Sequence, residues 1–242
     1  MCYEVIFIDD CSNDKCNEIL KKFIKLFNKK NIRIISYKQR KNRGPSEARN
    51  KAWSLSTGDY IAFLDADDTW EPKKLEICVN WLNELKPIQL IHQSAKEINL
   101  RKFEKKKCAS HQDYSAKKIW PCLWLLKNYG CTPSIIIKRD ISERFDEKMK
   151  YCEDYDLWLR VAFKYNNTYK IYGPPLSNIK IRNKGNLSLS QNSFQMRLGE
   201  IYTLWKYSRS TGFYLVTFPL FLTYCCLKYL LFHLRNIFLV KM

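Results

Sequence analysis

Three groups of acidic residues stand where chemistry could be done. The stretch "GDYIAFLDADDTWEP" (58–72) ends an apolar run, Tyr60 to Leu64, in Asp65, Asp67 and Asp68. A strand that reads as buried should not finish in like charges unless something neutralises them. A metal ion, a helix N-terminus or plain solvent could each do so. Asp65 and Asp67, one residue apart at a strand end, can offer oxygens to one hard divalent cation. Mg²⁺ or Mn²⁺ takes one or two carboxylates and leaves its other positions to phosphates and water. A solvated turn whose Asp caps the next helix is the plainer alternative. Asp9 and Asp10 close an earlier apolar run, "EVIFIDD". Glu153, Asp154 and Asp156 crowd a first helical turn, "YCEDYDLWLR", a place the helix dipole favours for acids in any case.

The elements between these groups alternate. "YEVIFI" (3–8), "IRIISY" (32–37) and "YIAFLDA" (60–66) are short, β-branched or aromatic runs and predict buried strands. Residues 15–28 place Ile19, Phe23 and Leu26, with Leu20 and Phe27, on one helical face, capped by Asp14 or Ser12. Residues 44–56 continue at helical spacing through Ala48, Ala52 and Leu55. Pro72 opens a third helix over 72–85. Strand, helix, strand, helix, strand is the mark of an α/β fold with a mostly parallel, helix-covered sheet, a Rossmann-like half. In such sheets functional groups gather at strand C-termini, where all five of Asp9, Asp10, Asp65, Asp67 and Asp68 fall. Further on, 88–110 predicts a strand and an exposed basic hairpin, "RKFEKKK". A strand follows at 132–140. A helix over 151–165 has Leu157, Val161 and Ala162 on its inner face.

Composition narrows the partners. The chain has 242 residues, with 42 Lys and Arg against 24 Asp and Glu. After Asp156 a single acid, Glu200, faces twelve Lys or Arg. A basic half of this kind suits an anionic membrane surface. No nucleic-acid motif or base-stacking pattern accompanies it, so no specific nucleic acid is expected. Ten Cys without a CxxC pair, and three His without ligand spacing, argue against zinc and fit a reducing, cytosolic compartment. "FYLVTFPLFLTYCCL" (213–227) is fifteen residues without a charge. That is short of the roughly 20 a membrane span needs. Pro219 and the basic flanks favour amphipathic or hydrophobic helices lying in the interface on the cytoplasmic face. Two regions are expected: 1–185, carrying the chemistry, and a helical extension, 186–242, whose membrane-associating segment is 213–240.

Together "EVIFIDDCSND", "GPSEARNKAWSLSTGDYIAFLDADDTWEPKKLE" and "YCEDYDLWLR" resemble the blocks of inverting family-2 glycosyltransferases of GT-A fold. The resemblance runs from residue 3 to about 165, in the family's order. It implies that Asp10 accepts a hydrogen bond from a uracil N–H and that Asp9 orders the loop beside it. Arg49, in "SEARN", is placed by it against the base or diphosphate, Asp65 by the ribose and metal, and Asp67 on the metal. Asp154 becomes the general base that takes a proton from the acceptor hydroxyl. The implied activity is metal-dependent transfer of one hexose or N-acetylhexosamine from a UDP-sugar to a glycan or glycolipid acceptor. Family members carry a further strand and loop ahead of "EVIFIDD" that this chain lacks, and Cys11 replaces a glycine. No Q-x-x-R-W follows the E-D helix, which argues against a processive synthase. Two other readings stand beside it. "LDADDT" also satisfies the D-x-D-x-T of a haloacid-dehalogenase-type phosphatase, and a degraded transferase could serve as a basic membrane or nucleic-acid binding module.

Overall fold

The structure, a computed structural model, describes residues 3–13, 16–28, 32–85, 88–98, 110–180, 193–210, 218–227 and 229–230. The basic hairpin expected at 101–107, the Asp14 cap, the boundary at 185–186 and much of 213–240 lie outside these residues. Ten strands and six named helices follow in order: β1 (Glu4–Asp9), α1 (Cys16–Asn28), β2 (Arg33–Lys38), α2 (Pro45–Leu55), β3 (Tyr60–Ala62), β4 (Thr69–Trp70), α3 (Lys74–Glu84), β5 (Leu90–Gln93), β6 (Ala95–Ile98), β7 (Ser115–Ile119), α4 (Pro121–Leu126), β8 (Ile135–Lys138), α5 (Glu153–Tyr165), β9 (Thr168–Tyr172), β10 (Ser177–Lys180) and α6 (Ser193–Ser210). Residues 218–227 are also helical.

The central sheet has five strands in the order β3-β8-β5-β9-β7. Its apolar runs are buried on both faces, as expected of a strand covered by helices on either side. Along β8 the faces alternate. Ile135 and Ile137 join Trp53 of α2, Trp124 of α4 and Leu157, Trp158 and Val161 of α5. Ile136 points the other way, with Ile91, towards Ile77, Cys78 and Leu82 of α3. On the α2, α4 and α5 side two indole N–H groups are satisfied: Trp158 donates to the Gly130 carbonyl (3.1 Å) and Trp124 to Thr168 (3.1 Å). The predicted inner face of α5 is confirmed, since Leu157, Val161 and Ala162 are wholly buried.

Strand direction departs from the expectation. β1–β2, β5–β9 and β6–β10 pair parallel, but β3–β8, β5–β8, β7–β9 and β4–β10 pair antiparallel. The α/β class holds, and the sheets are mixed. Strand–helix alternation forces a parallel partner only while it lasts, and it breaks at β4, which follows β3 with no helix between.

β1 and β2 form a ladder of their own. The burial predicted for β1 and for the apolar face of α1 is not found: Ile19 is 54% exposed, Phe23 50% and Leu26 56%. Glu4 fastens the pair to the rest. Its carboxylate accepts from the backbone N–H of Thr57 and Gly58 (2.9 Å) and from Arg33 (3.2 Å). Burial raises its pKa, but the Thr57 and Gly58 N–H groups, the Thr57 hydroxyl and Arg33 outweigh it, so the net shift is down. A depressed acid stabilises above its unfolded value and loses that contribution as pH falls through the folded one. Hydrogen exchange should therefore show the β1–β2 amides losing protection on acidification below about pH 4.5, ahead of the β5 and β8 amides.

α6 packs on α5 through Leu204 and through Tyr207 against Phe163 (ring centroids 4.4 Å). Lys206 reaches Asp146 (2.6 Å) and the buried Asp156 (3.1 Å), whose other oxygen takes Arg160 Nε (2.8 Å).

Candidate active site

The acids at the end of β1 are held by backbone donors. Asp9 is buried; its Oδ1 accepts from Ser12 N (2.7 Å) and its Oδ2 lies 3.4 Å from Lys38 Nζ. Burial pushes its pKa up, and the Ser12 bonds with Lys38 more than reverse that. Asp9 thus fixes the loop after β1. Asp10 reaches further: Oδ1 accepts from Arg43 N (2.8 Å) and Oδ2 from Gly44 N (2.7 Å). Gly44 caps α2 with φ +89°, a conformation that strains any residue with a Cβ. Asp10 therefore ties β1 to the start of α2, and each of its oxygens keeps a second lone pair.

One turn and a half along α2, Arg49 joins the remaining groups. Its guanidinium grips both oxygens of Asp65 (2.9 and 3.1 Å) and Glu153 Oε1 (2.9 Å), over the ring of Phe145 at 5.5 Å. Burial alone would lower its pKa, but Asp65, Glu153 and Asp154 raise it. Residues 49, 65 and 153, far apart in the chain, meet at this one side chain.

After Asp65 the chain turns, with Asp68 N donating to the Asp65 carbonyl (3.1 Å). Asp68 accepts from Lys180 N of β10 (3.0 Å), which anchors the turn to the sheet and leaves half-buried Asp67 at its apex. Among the described residues no three His, Cys, Asp or Glu are grouped to hold a metal ion. Asp65 and Asp67 offer hard carboxylate oxygens and nothing softer. That donor set fits an ion which completes its shell with phosphate and water, not one needing a cage of side chains.

Asp154 lies in the first turn of α5, behind Cys152 in the left-handed conformation (φ +58°). Tyr155 N donates to its Oδ1 (2.6 Å). Burial first, and Glu153 beside it, push its pKa up to about 7; Arg49 and the Tyr155 N–H pull the other way, and Asp65 adds to the rise. A carboxyl that titrates near neutrality is tuned as a proton acceptor. Cys131, before β8, feels both Asp154 and Asp68, and burial with these carboxylates raises its thiol pKa against the bonds from Ser134. The D-x-D turn and Asp154 thus lie within electrostatic reach of each other, around Arg49 and Cys131. Cys131, Asp68 and the Arg49–Glu153 pair were not assigned from sequence. A thiol in "YGCTPS" carries no signal, but Glu153, next to Asp154, was in view.

The sequence pattern described as "Glycosyl transferase family 2" matches residues 2–145. The chain belongs to that family. An uncharacterized glycosyltransferase of Methanocaldococcus jannaschii is 32% identical over 84% of this chain and 68% of its own length. The amylovoran biosynthesis glycosyltransferase AmsB of Erwinia amylovora is 30% identical over 73% of the chain and 59% of its own length. Among solved structures, TarS of S. aureus in complex with UDP gives a TM-score of 0.59 at 18% identity, covering 83% of this chain and 56% of that one. The mannosyltransferase PcManGT from Pyrobaculum calidifontis, in complex with GDP-Man and Mn²⁺, gives 0.61 at 14%, covering 92% and 64%. This family-2 transferase therefore has the expected GT-A fold. The family match also speaks against the phosphatase alternative.

Proposed function

We propose that this family-2 domain moves a single hexose or N-acetylhexosamine from a UDP-sugar to a hydroxyl of a growing surface polysaccharide or glycolipid, with inversion. One observation carries the reading: Arg49 bridges Asp65 of the D-x-D turn to Glu153, the neighbour of Asp154, whose own pKa is pushed up to about 7. The acceptor oxygen attacks the anomeric carbon while the bond from that carbon to the nucleoside diphosphate breaks. The proton leaves the hydroxyl for Asp154, and the electron pair leaves with the diphosphate. A single displacement needs one such base. Asp67, with Asp65, would hold a divalent cation, Mn²⁺ or Mg²⁺, whose charge offsets that of the departing diphosphate. Asp10 keeps lone pairs for the uracil N–H, and Asp9 holds the loop that presents it.

TarS with UDP and PcManGT with GDP-Man and Mn²⁺ support the donor class and the ion. AmsB supports an exopolysaccharide product, as does the putative teichuronic acid glycosyltransferase TuaG of Bacillus subtilis, 38% identical over 82 residues. The purified protein, offered a panel of UDP-sugars with Mn²⁺, should release UDP and lose that release in EDTA. No release from any nucleotide sugar would refute the proposal.

The reading places the enzyme against the cytoplasmic leaflet. Phe221, Tyr224 and Cys225 pack on the core, and Tyr224 donates to the Leu126 carbonyl (2.6 Å). Leu220, Leu222, Leu227 and Leu230 point outward. None of the described helices is long and apolar enough to cross a membrane, and outward leucines on a docked helix suit an interface. Leu220→Ser with Leu227→Ser should cut binding to vesicles rich in anionic lipid by about a hundredfold or more, given 1.5–3 kcal/mol for each fully buried Leu.

A further inference from the structure

β7 ends the central sheet, and three lysines gather there. Lys117 of β7 stands directly opposite Lys170 of β9. Like charges so placed destabilise a sheet. Burial and then Lys127 lower the Lys170 pKa, so a third ammonium is near the pair. Two tyrosine rings lie under these groups. Lys170 Nζ is 4.7 Å from the Tyr172 centroid and 5.9 Å from that of Tyr129. Lys117 is 5.9 Å from Tyr172, and Lys127 is 6.0 Å from Tyr129. The segments that build this corner, 114–139 and 157–180, contain no Asp or Glu. The corner also joins an apolar surface. Burial, and then Tyr172, Cys122 and Tyr224, raise the Tyr129 pKa, which sets that ring between β9 and the helix at 218–227. At the two ends of α4, Trp120 is 57% exposed and Leu126 49%, and the Leu126 carbonyl is the one that Tyr224 bonds.

Resting on the interfacial reading of the 218–227 helix, we infer that the Lys117–Lys127–Lys170 corner binds the headgroups of an anionic bilayer, so that the sheet edge itself docks on the leaflet beside that helix. A negative surface offsets the repulsion among the three ammonium groups and draws each of them in. Tyrosine suits the headgroup level, with an apolar ring and a polar tip. Trp120, Leu126 and the outward leucines of the 218–227 helix supply the apolar contact next to it. An acidic polysaccharide would use the lysines and tyrosines and leave Trp120 and Leu126 in water. Lysines that only guarded an edge strand against pairing would gain nothing from facing one another.

Co-sedimentation of the full chain with phosphatidylcholine vesicles, with and without phosphatidylserine, tests this at fixed ionic strength. Binding that depends on phosphatidylserine is expected. In Lys117→Gln/Lys127→Gln/Lys170→Gln it should weaken about a hundredfold, or about fivefold for each lysine. Lys21→Gln/Lys22→Gln/Lys25→Gln removes the same charge from the exposed side of α1. Away from the docked surface, that triple should cost about threefold at most. Relief of the Lys117–Lys170 repulsion should leave the first triple melting no lower than the parent, so its loss of binding reports the surface and not the fold. Equal losses in the two triples would overturn the inference, because net charge alone would then account for binding. So would unchanged vesicle binding in the first triple, including the case where that triple loses affinity only for polygalacturonate, a soluble acidic polymer. Leu220→Ser with Leu227→Ser should weaken binding to both kinds of vesicle. If that pair matters and the three lysines do not, the corner falls and the helix reading stands. If the parent binds neither vesicle, both fall.

Discussion

Asp154→Asn is expected to lower kcat by about 100- to 10,000-fold, the range that a positioned general base contributes. UDP affinity should be unaffected, because the change keeps the side chain's shape and lies on the acceptor side of the cleft. The pH profile makes the assignment specific. With the Asp154 pKa near 7, kcat of the parent should rise about tenfold per unit below that value and level off above it. The variant's residual rate should lack this limb. Stability moves the other way. An acid whose folded pKa is raised binds more protons folded than unfolded, so it costs stability as pH climbs from its ordinary value of 3.8 towards 7. Asn carries no such charge. The variant should melt higher than the parent at pH 8, and equal melting with equal activity would dismiss Asp154 as the base.

Arg49→Met should show what the guanidinium does between three acids. Removing one partner of a buried ion pair costs about 3–5 kcal/mol. Asp65 is 39% exposed, which discounts its half, so a loss of about 2 kcal/mol in urea unfolding is expected. The larger effect is electrostatic. Arg49 holds the Asp154 pKa down against Glu153 and Asp65. Without it the kcat limb should move upward by about one pH unit or more. Arg49→Lys should recover part of the stability, because an ammonium cannot grip both oxygens of Asp65 and reach Glu153. A limb that stays at the parent's pH in Arg49→Met would separate this residue from the base.

What the sequence shows depends on whether local pattern or distant packing decides. The inner face of α5 follows from the spacing of Leu157, Val161 and Ala162. The run Ile135–Ile137 reads as a strand and is one, and the structure covers it on both faces. The D-x-D turn at a strand end is equally local. The exposure of Ile19, Phe23 and Leu26 is not, because periodicity names the face but not the neighbour that covers it. Strand direction after α3 depends on how the chain returns to the sheet. Asp10 is engaged by the Arg43 and Gly44 N–H groups, which carry no side-chain identity to read. Arg49 is legible as a site residue, yet its bond to Glu153 spans 104 positions in the chain. Only the folded arrangement reveals that contact.

The bond from Lys206 to Asp146 and Asp156 bears on where the protein can be cut. The matched family pattern stops at residue 145, and a cloning boundary drawn there or near 185 would look natural. A cut at 145 would remove Glu153 and Asp154 with α5, and one near 185 would keep every acid of the site but lose the Lys206 counter-ion and the Gly199 contact at the root of α5. The shortest expressible version worth making runs through Ser210.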